Sequence, residues 1–199
     1  MSTSMRNAVR ILRDEHRSIS AVLQCLQQLT RLAQDPAIKP DFAVFRATIH
    51  YIDAFPERLH HPKEDNYLFA RLLRRSDATR PLIERLMAEH VAGARLVREL
   101  ERAVLAFEQA WPRGAQDFAA AVDAYADFHW NHMRLEEQEL LPLAEAALIE
   151  EDWEAIEAAF AGNQDPIADL RGQDFDRLFT RIVSIAPAPF GLGEAWRRS

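Results

Sequence analysis

Apolar residues recur at three- and four-residue spacing along four long stretches of the chain, the period of a helix that buries one face. In the first, at about residues 4–33, Leu12, Ile19, Leu23 and Leu26 form the stripe and His16 falls inside it. Arg13, Arg17, Gln24, Gln27 and Arg31 take the opposite side, and Asp35-Pro36 and Lys39-Pro40 end the helix, since proline cannot continue the hydrogen-bond ladder. The second stretch runs from about Asp41, which suits an N-cap, to about Arg75. Pro56 and Pro62 lie within it and predict a kink or bulge near His60. The third, at about 81–110, aligns Ile83, Leu86, His90, Val97, Leu100 and Val104. Trp111-Pro112-Arg113-Gly114 breaks the chain. The fourth, at about 115–148, aligns Phe118, Val122, Tyr125, Phe128, His132, Glu136 and Leu140, with Pro142 bending its end.

Four long helices with short connections predict an all-α protein, an up-down-up-down four-helix bundle over residues 1–149. Residues 150–199 read as an extension that caps the bundle with short helices. One is expected at 152–161, with Trp153, Ile156 and Phe160 on one face, then a loop at 162–172 and a further short helix at 174–185. The tail from Ala186 reads as irregular.

Composition narrows the function classes. The chain has 199 residues, 48% hydrophobic and 28% charged, a net charge of −7 and no dense run of lysine or arginine. That balance gives no reason to expect nucleic acid or an anionic membrane as a partner. Cys25 is the sole cysteine, so no intrachain disulfide is expected and a reducing compartment is favoured. The opening MSTSMRNAVR lacks the apolar core of a secretory signal, and no apolar run approaches membrane-spanning length. A cytoplasmic location is the expectation.

The chemistry concentrates in two related stretches, HHPKEDNYLF at 60–69 and NHMRLEEQELLP at 131–142. Laid over one another, His60 matches His132, Glu64 matches Glu136 and Asp65 matches Glu137. Residues four apart on a helix stand about 5–6 Å apart at Cβ, close enough to share one ion. His60/Glu64 and His132/Glu136 therefore form two clamps, and His16 and His90 each add one imidazole from the other helices. The order is single, pair, single, pair, which places two half-sites on facing sides of a bundle. Imidazole and carboxylate without thiolate suit iron, or manganese and zinc less specifically, and argue against copper(I) and iron–sulfur clusters. Buried carboxylates at Glu64 and Glu136 are costly unless paired, protonated or bound to a cation.

His50 and His129 read as ordinary hydrogen-bonded core histidines, although His129, one turn from His132, is placed to touch a ligand from outside. Tyr67 and Tyr125 are expected near the site as hydrogen-bonding or redox groups. A ferritin-like di-iron pattern needs Glu-x-x-His pairs and a glutamate on each remaining helix. Here the pairs run His-x-x-x-Glu, and Glu15 and Glu89, one position from His16 and His90, are expected to turn off the core face.

The motifs DEH around His16, HHPKED-YLF at 60–69, EH at His90 and HMRLEEQELLP at 132–142 resemble the HHE cation-binding branch of the hemerythrin family, over roughly residues 10–145. The resemblance implies a four-helix bundle around a non-haem di-iron centre. Its ligands would be His16, His60, Glu64, His90, His132 and Glu136, with the two glutamates bridging. Oxygen-carrying hemerythrins have a second histidine four residues after the third-helix one, where this chain has Ala94. Their last pair ends in aspartate at a longer spacing, where this chain offers Glu136 or Glu137. His61, next to His60, or water would fill the vacated position. The resemblance further implies binding or sensing of dioxygen, nitric oxide or peroxide, or iron handling in stress response. Two alternatives stand beside it: a di-iron oxidase, peroxidase or nitric oxide reductase, and a helical interaction module with structural histidines.

Overall fold

The computed structural model describes residues 2–162 and 180–197. Helix α1 spans Thr3–Leu32, and Ser2 caps it by accepting a hydrogen bond from the Met5 amide. Helix α2 covers residues 42–75, opened by the Asp41 carboxylate accepting from the Ala43 amide. A 3₁₀ turn at Asp77–Thr79 leads into α3 at Arg80–Ala110. Helix α4 covers 115–147, and α5 spans Glu150–Ala161.

The helices alternate in direction. Phe42 at the start of α2 meets Phe107 near the end of α3, and Phe45 meets Phe118 at the start of α4, each with ring centroids 5.0 Å apart. Gln27 in the second half of α1 donates to Asp123 in the first half of α4 at 2.6 Å. The protein is an all-α helical bundle, as the apolar periodicity predicts. No helix among the described residues is long and apolar enough to cross a membrane.

The kink expected from Pro56 and Pro62 takes the form of two π-helical segments, Asp53–His60 and Glu64–Phe69. A third, Glu136–Leu140, precedes Pro142. Proline has no N–H for the carbonyl four residues back and its ring crowds that carbonyl. Widening the turn so that bonds run to the fifth residue relieves the crowding: the His61, Ala70 and Leu141 amides donate to the Pro56, Asp65 and Glu136 carbonyls. Such π-bulges concentrate at functional sites, and these three bracket His60, Glu64 and Glu136.

Among the described residues the apolar interior falls into two clusters. One holds Ile19, Leu23 and Leu26 with Leu59, Val97, Leu100, Val122 and Tyr125. The other holds Leu12 with Leu68, Phe69, Leu86 and Leu140. Each long helix passes from one cluster to the other where its histidines and glutamates lie.

Helix α5 buries Trp153, Ile156 and Phe160, the three residues expected to share its apolar face. Phe160 sits edge-on to His60 at 6.2 Å, and Asn7 of α1 donates to Glu157 at 2.7 Å. Residues 180–185 are helical, and Ile182 and Ala186 are buried in the first cluster. The remainder of the helix expected at 174–185, and nearly all of the loop expected at 162–172, lie outside the described residues.

Three expectations are corrected. His50 is exposed, because it falls off the inner face of α2 where Ile49 and Ile52 point inward. Gln27 is buried, held by its bond to Asp123. Phe128 is only half-buried, and its neighbour His129 takes the interior position.

Gly114 joins α3 to α4 with φ +91°, and a Cβ there would lie 3.1 Å from the Phe107 Cα. Gly114→Ala is therefore expected to destabilise the fold by at least about 1–2 kcal/mol, the cost of a left-handed L-residue. Urea denaturation of the two proteins checks this; equal midpoints would contradict it.

Candidate metal centre

Between the two apolar clusters lies a layer of buried polar side chains. His16, His60, His61, Glu64, His90, His132 and Glu136 are all at most 7% exposed, and the two glutamates are at 0%. Two groups within this layer have the size and spacing to hold a metal ion. One is His16, His60, Glu64 and Glu136; the other is His61, Glu64, His90 and His132; within each, candidate ligand atoms lie within 4.8 Å of one another.

The glutamates stand between the groups. Glu64 Oε1 faces His60 Nε2 at 3.4 Å and His16 Nε2 at 3.8 Å, while its Oε2 faces His90 Nε2 at 3.5 Å. Glu136 Oε2 faces His16 Nε2 at 3.3 Å, while its Oε1 faces His132 Nε2 at 3.3 Å and His90 Nε2 at 3.9 Å. Within each group two Nε2 atoms approach to 3.1 Å, His16 with His60 and His90 with His132. None of the four glutamate oxygens makes an aligned hydrogen bond to a protein partner. Orphaned buried carboxylates with imidazole nitrogens converging on them are the donor set that hard and borderline divalent cations take up.

Each inward Nε2 is backed by a carboxylate on Nδ1. Glu15 of α1 holds His60 of α2 at 2.7 Å, and Asp65 of α2 holds His90 of α3 at 2.9 Å. Glu89 of α3 holds His132 of α4 at 2.9 Å, and Glu137 of α4 holds His16 of α1 at 2.9 Å. The four contacts close a ring in which every helix orients the histidine of the next. A carboxylate accepting from Nδ1–H fixes the tautomer that leaves a lone pair on Nε2. Glu15 and Glu89 thus correct the expectation that one step around the helix removes them from the site. That step of about 100° aims them at the neighbouring helix, where the next histidine waits. The sequence does carry the signal: an acid sits directly beside His16, Glu64, His90 and Glu136.

Position separates the two pairs of candidates. Glu136 enters the layer, whereas Glu137 lies outside it as the partner of His16. His60 and His61 both face inward but join different groups. His61 stacks on His90 with centroids 4.2 Å apart and an interplanar angle of 8°. Behind His61 lies a set of buried polar groups: Tyr125 donates to Glu57 at 2.9 Å and its oxygen lies 3.2 Å from His129 Nε2. Tyr67 is 40% exposed, which removes it from the site.

Comparison with known proteins gives the same outline. The family model described as the hemerythrin HHE cation-binding domain matches residues 7–144. The chain belongs to the hemerythrin HHE cation-binding family. A search of the curated proteins found no match. The matched span takes in all seven inward-facing residues and all four carboxylates of the ring.

Charge in the layer is tightly coupled. Burial alone would lower the His90 and His132 values, but His90 is pushed up to about 12 by its hydrogen bond to Asp65 and the facing carboxylates of Glu136 and Glu64. His132 is pushed up to about 9, chiefly by the facing carboxylate of Glu136 and by its hydrogen bond to Glu89. His16 is raised well above its ordinary value, its contacts with Glu136, Glu137 and Glu64 outweighing burial. Burial pushes Glu136 up, but His132, His16 and His90 outweigh it and hold the carboxyl well below the usual range. The buried carboxylates thus favour the protonated forms of these imidazoles, and any cation bound there would compete with those protons. A histidine raised in the folded state stabilises it fully below the unfolded value of 6.5, and that contribution is lost as pH rises through the folded value. The melting temperature of chelator-treated protein is therefore expected to fall as pH is raised from 6.5 through about 9, where His132 titrates. A melting series flat across that interval would contradict the charge assignment.

Proposed function

We propose that the protein holds two metal ions, one in each group, with Glu64 and Glu136 bridging them. The observation that carries this is the set of four glutamate oxygens, fully buried, without an aligned hydrogen bond and each facing imidazole nitrogens. A purely structural histidine layer would have to meet those oxygens with imidazole protons, yet no imidazole N–H is aligned on any of them, and a buried charged group without its hydrogen bonds costs of the order of 1–3 kcal/mol or more. The interaction-module alternative is therefore disfavoured. Iron is the ion the nitrogen–oxygen donor set favours, with manganese or zinc as lesser fits.

The two positions differ in donors. His16, His60 and the bridging carboxylates supply four atoms to one, while His61, His90, His132 and the same carboxylates supply five to the other. A groove of about 490 Å³ lined by His16, Arg17, Trp130, Met133 and Glu137 opens against the four-donor side. That side is the one a small ligand would reach from solvent. An iron pair supplies redox chemistry toward dioxygen, nitric oxide or peroxide. The residues present bind the pair, fix imidazole tautomers through the carboxylate ring and keep bulk water out. We accordingly favour a protein that binds or senses such a molecule, or handles iron under stress. A di-iron oxidase, peroxidase or nitric oxide reductase is the alternative. The single Cys25 is in keeping with a reducing, cytoplasmic setting.

Protein purified in air and loaded with iron(II) is expected to carry two irons per chain and to show charge-transfer absorption. Replacing one bridge, Glu64→Ala or Glu136→Ala, is expected to reduce metal content to one ion or none. At ligand concentrations of about 100 times the dissociation constant, loading should stabilise the fold by about 2.7 kcal/mol. Failure to load any metal, together with an unchanged melting temperature in His132→Ala, would refute the proposal. Catalytic loss of peroxide or nitric oxide with a supplied reductant would favour the enzyme; a stoichiometric adduct would favour the carrier or sensor.

A further inference from the structure

The two halves of the polar layer are not equivalent. With His132 and Glu136 in register with His60 and Glu64, the position of His61 is taken by Met133. With His16 in register with His90, the position of Gly93 is taken by Ile19. One side of the layer is thus walled by Ile19 and Met133, the other by His61, Gly93 and the buried carboxylate of Glu57.

Glu57 lies on the first π-helical segment of α2, and its side chain is 4% exposed. Its Oε1 accepts from the Tyr125 hydroxyl at 2.9 Å and lies 3.5 Å from His129 Nε2. Its Oε2 stands 3.3 Å from His61 Nδ1, a nitrogen with no other hydrogen-bond partner. The contact falls short of an aligned bond, so a small ring rotation would complete it. Gly93 leaves the space that Glu57 fills: a Cβ at that position would meet Oε1 at 3.0 Å and Oε2 at 3.3 Å. A glycine inside a long helix costs about 0.5–1 kcal/mol relative to alanine, and here the clearance around Glu57 accounts for it. His61 also corresponds to no ligand in the other half, so its ring needs an anchor of its own. The four-carboxylate ring does not provide one.

We propose that Glu57 is the positioning residue for His61. Through Nδ1 it fixes the tautomer and ring orientation that make His61 the third imidazole of the His90–His132 group, and Tyr125 and Gly93 hold Glu57 in place for that task. The inference rests on the two-metal proposal above and deepens it. The chain replaces the imidazole it lacks at Ala94 by borrowing one from α2, and the supporting carboxylate comes from one turn earlier on the same helix.

The test is a cobalt(II) titration of the full-length, chelator-treated protein, following the visible ligand-field band and metal content at each step. Wild type is expected to take two ions, the five-donor group binding more tightly. Glu57→Ala should weaken the tighter step about 10–100-fold, the usual effect of removing an outer-shell partner, and alter its band while leaving the weaker step unchanged. Glu57→Gln, whose amide oxygen still accepts from Nδ1–H, should recover part of the loss. Gly93→Ala leaves every candidate ligand intact and should reproduce the Glu57→Ala defect by displacing the carboxylate; it decides the matter if Glu57→Ala folds poorly. Unaltered titrations in both Glu57→Ala and Gly93→Ala, or equal weakening of both steps, would overturn the inference while leaving the two-metal proposal standing. Wild-type protein that takes up no cobalt(II) or iron(II) would overturn both.

Discussion

Two carboxylates buried in the middle of a helical bundle set the terms for everything around them. Glu64 and Glu136 are withdrawn from water and lack aligned hydrogen bonds, so their charge has to be met by protons on neighbouring imidazoles or by cations. Either solution requires histidines on all four helices to converge on one level. The apolar core accordingly divides into clusters above and below that level. Rings from those clusters lie directly on the layer's imidazoles, Phe55 and Phe160 on His60 and Phe69 on His90, and help to wall it from water.

The backbone carries its share of this arrangement. Proline at 56, 62 and 142 is poorly suited to a regular helix interior, yet each lies in or beside a π-helical segment. The widened turns shift the facing of the residues that follow. That is how His60 and His61, adjacent in sequence, both reach the interior and join different groups. The carboxylate ring works in the other dimension, binding helix to helix around the bundle. Orientation of each imidazole in the ring therefore depends on the packing of two helices.

Much of the arrangement is visible in the sequence. The stripes Leu12–Leu26 and Ile83–Val104 place His16 and His90 on the inner face, because burial and the 3.6-residue period are local properties, and the prolines and breaks that flank the stripes mark the helix ends to within a few residues. The paired His-x-x-x-Glu motifs bring each histidine and its glutamate to the inner face for the same reason. One-helix geometry misplaces residues that lie between faces: Glu15 and Glu89 serve a neighbouring helix's histidine, and Gln27 is buried against Asp123. The exposure of His50 and Tyr67 follows from the angular offset of each on its helix.

The sequence by itself thus determined the number and extent of the long helices, the inner-face histidines and glutamates and the nature of their donor atoms, since each depends on residue type and local spacing. Only the tertiary structure decided that Glu136 enters the layer while Glu137 backs His16, that His60 and His61 belong to different groups, and that Glu57 is seated against Gly93. Those outcomes turn on distances between side chains from different helices and on the π-helical shifts that set their facing, and a helical period read along one segment contains neither.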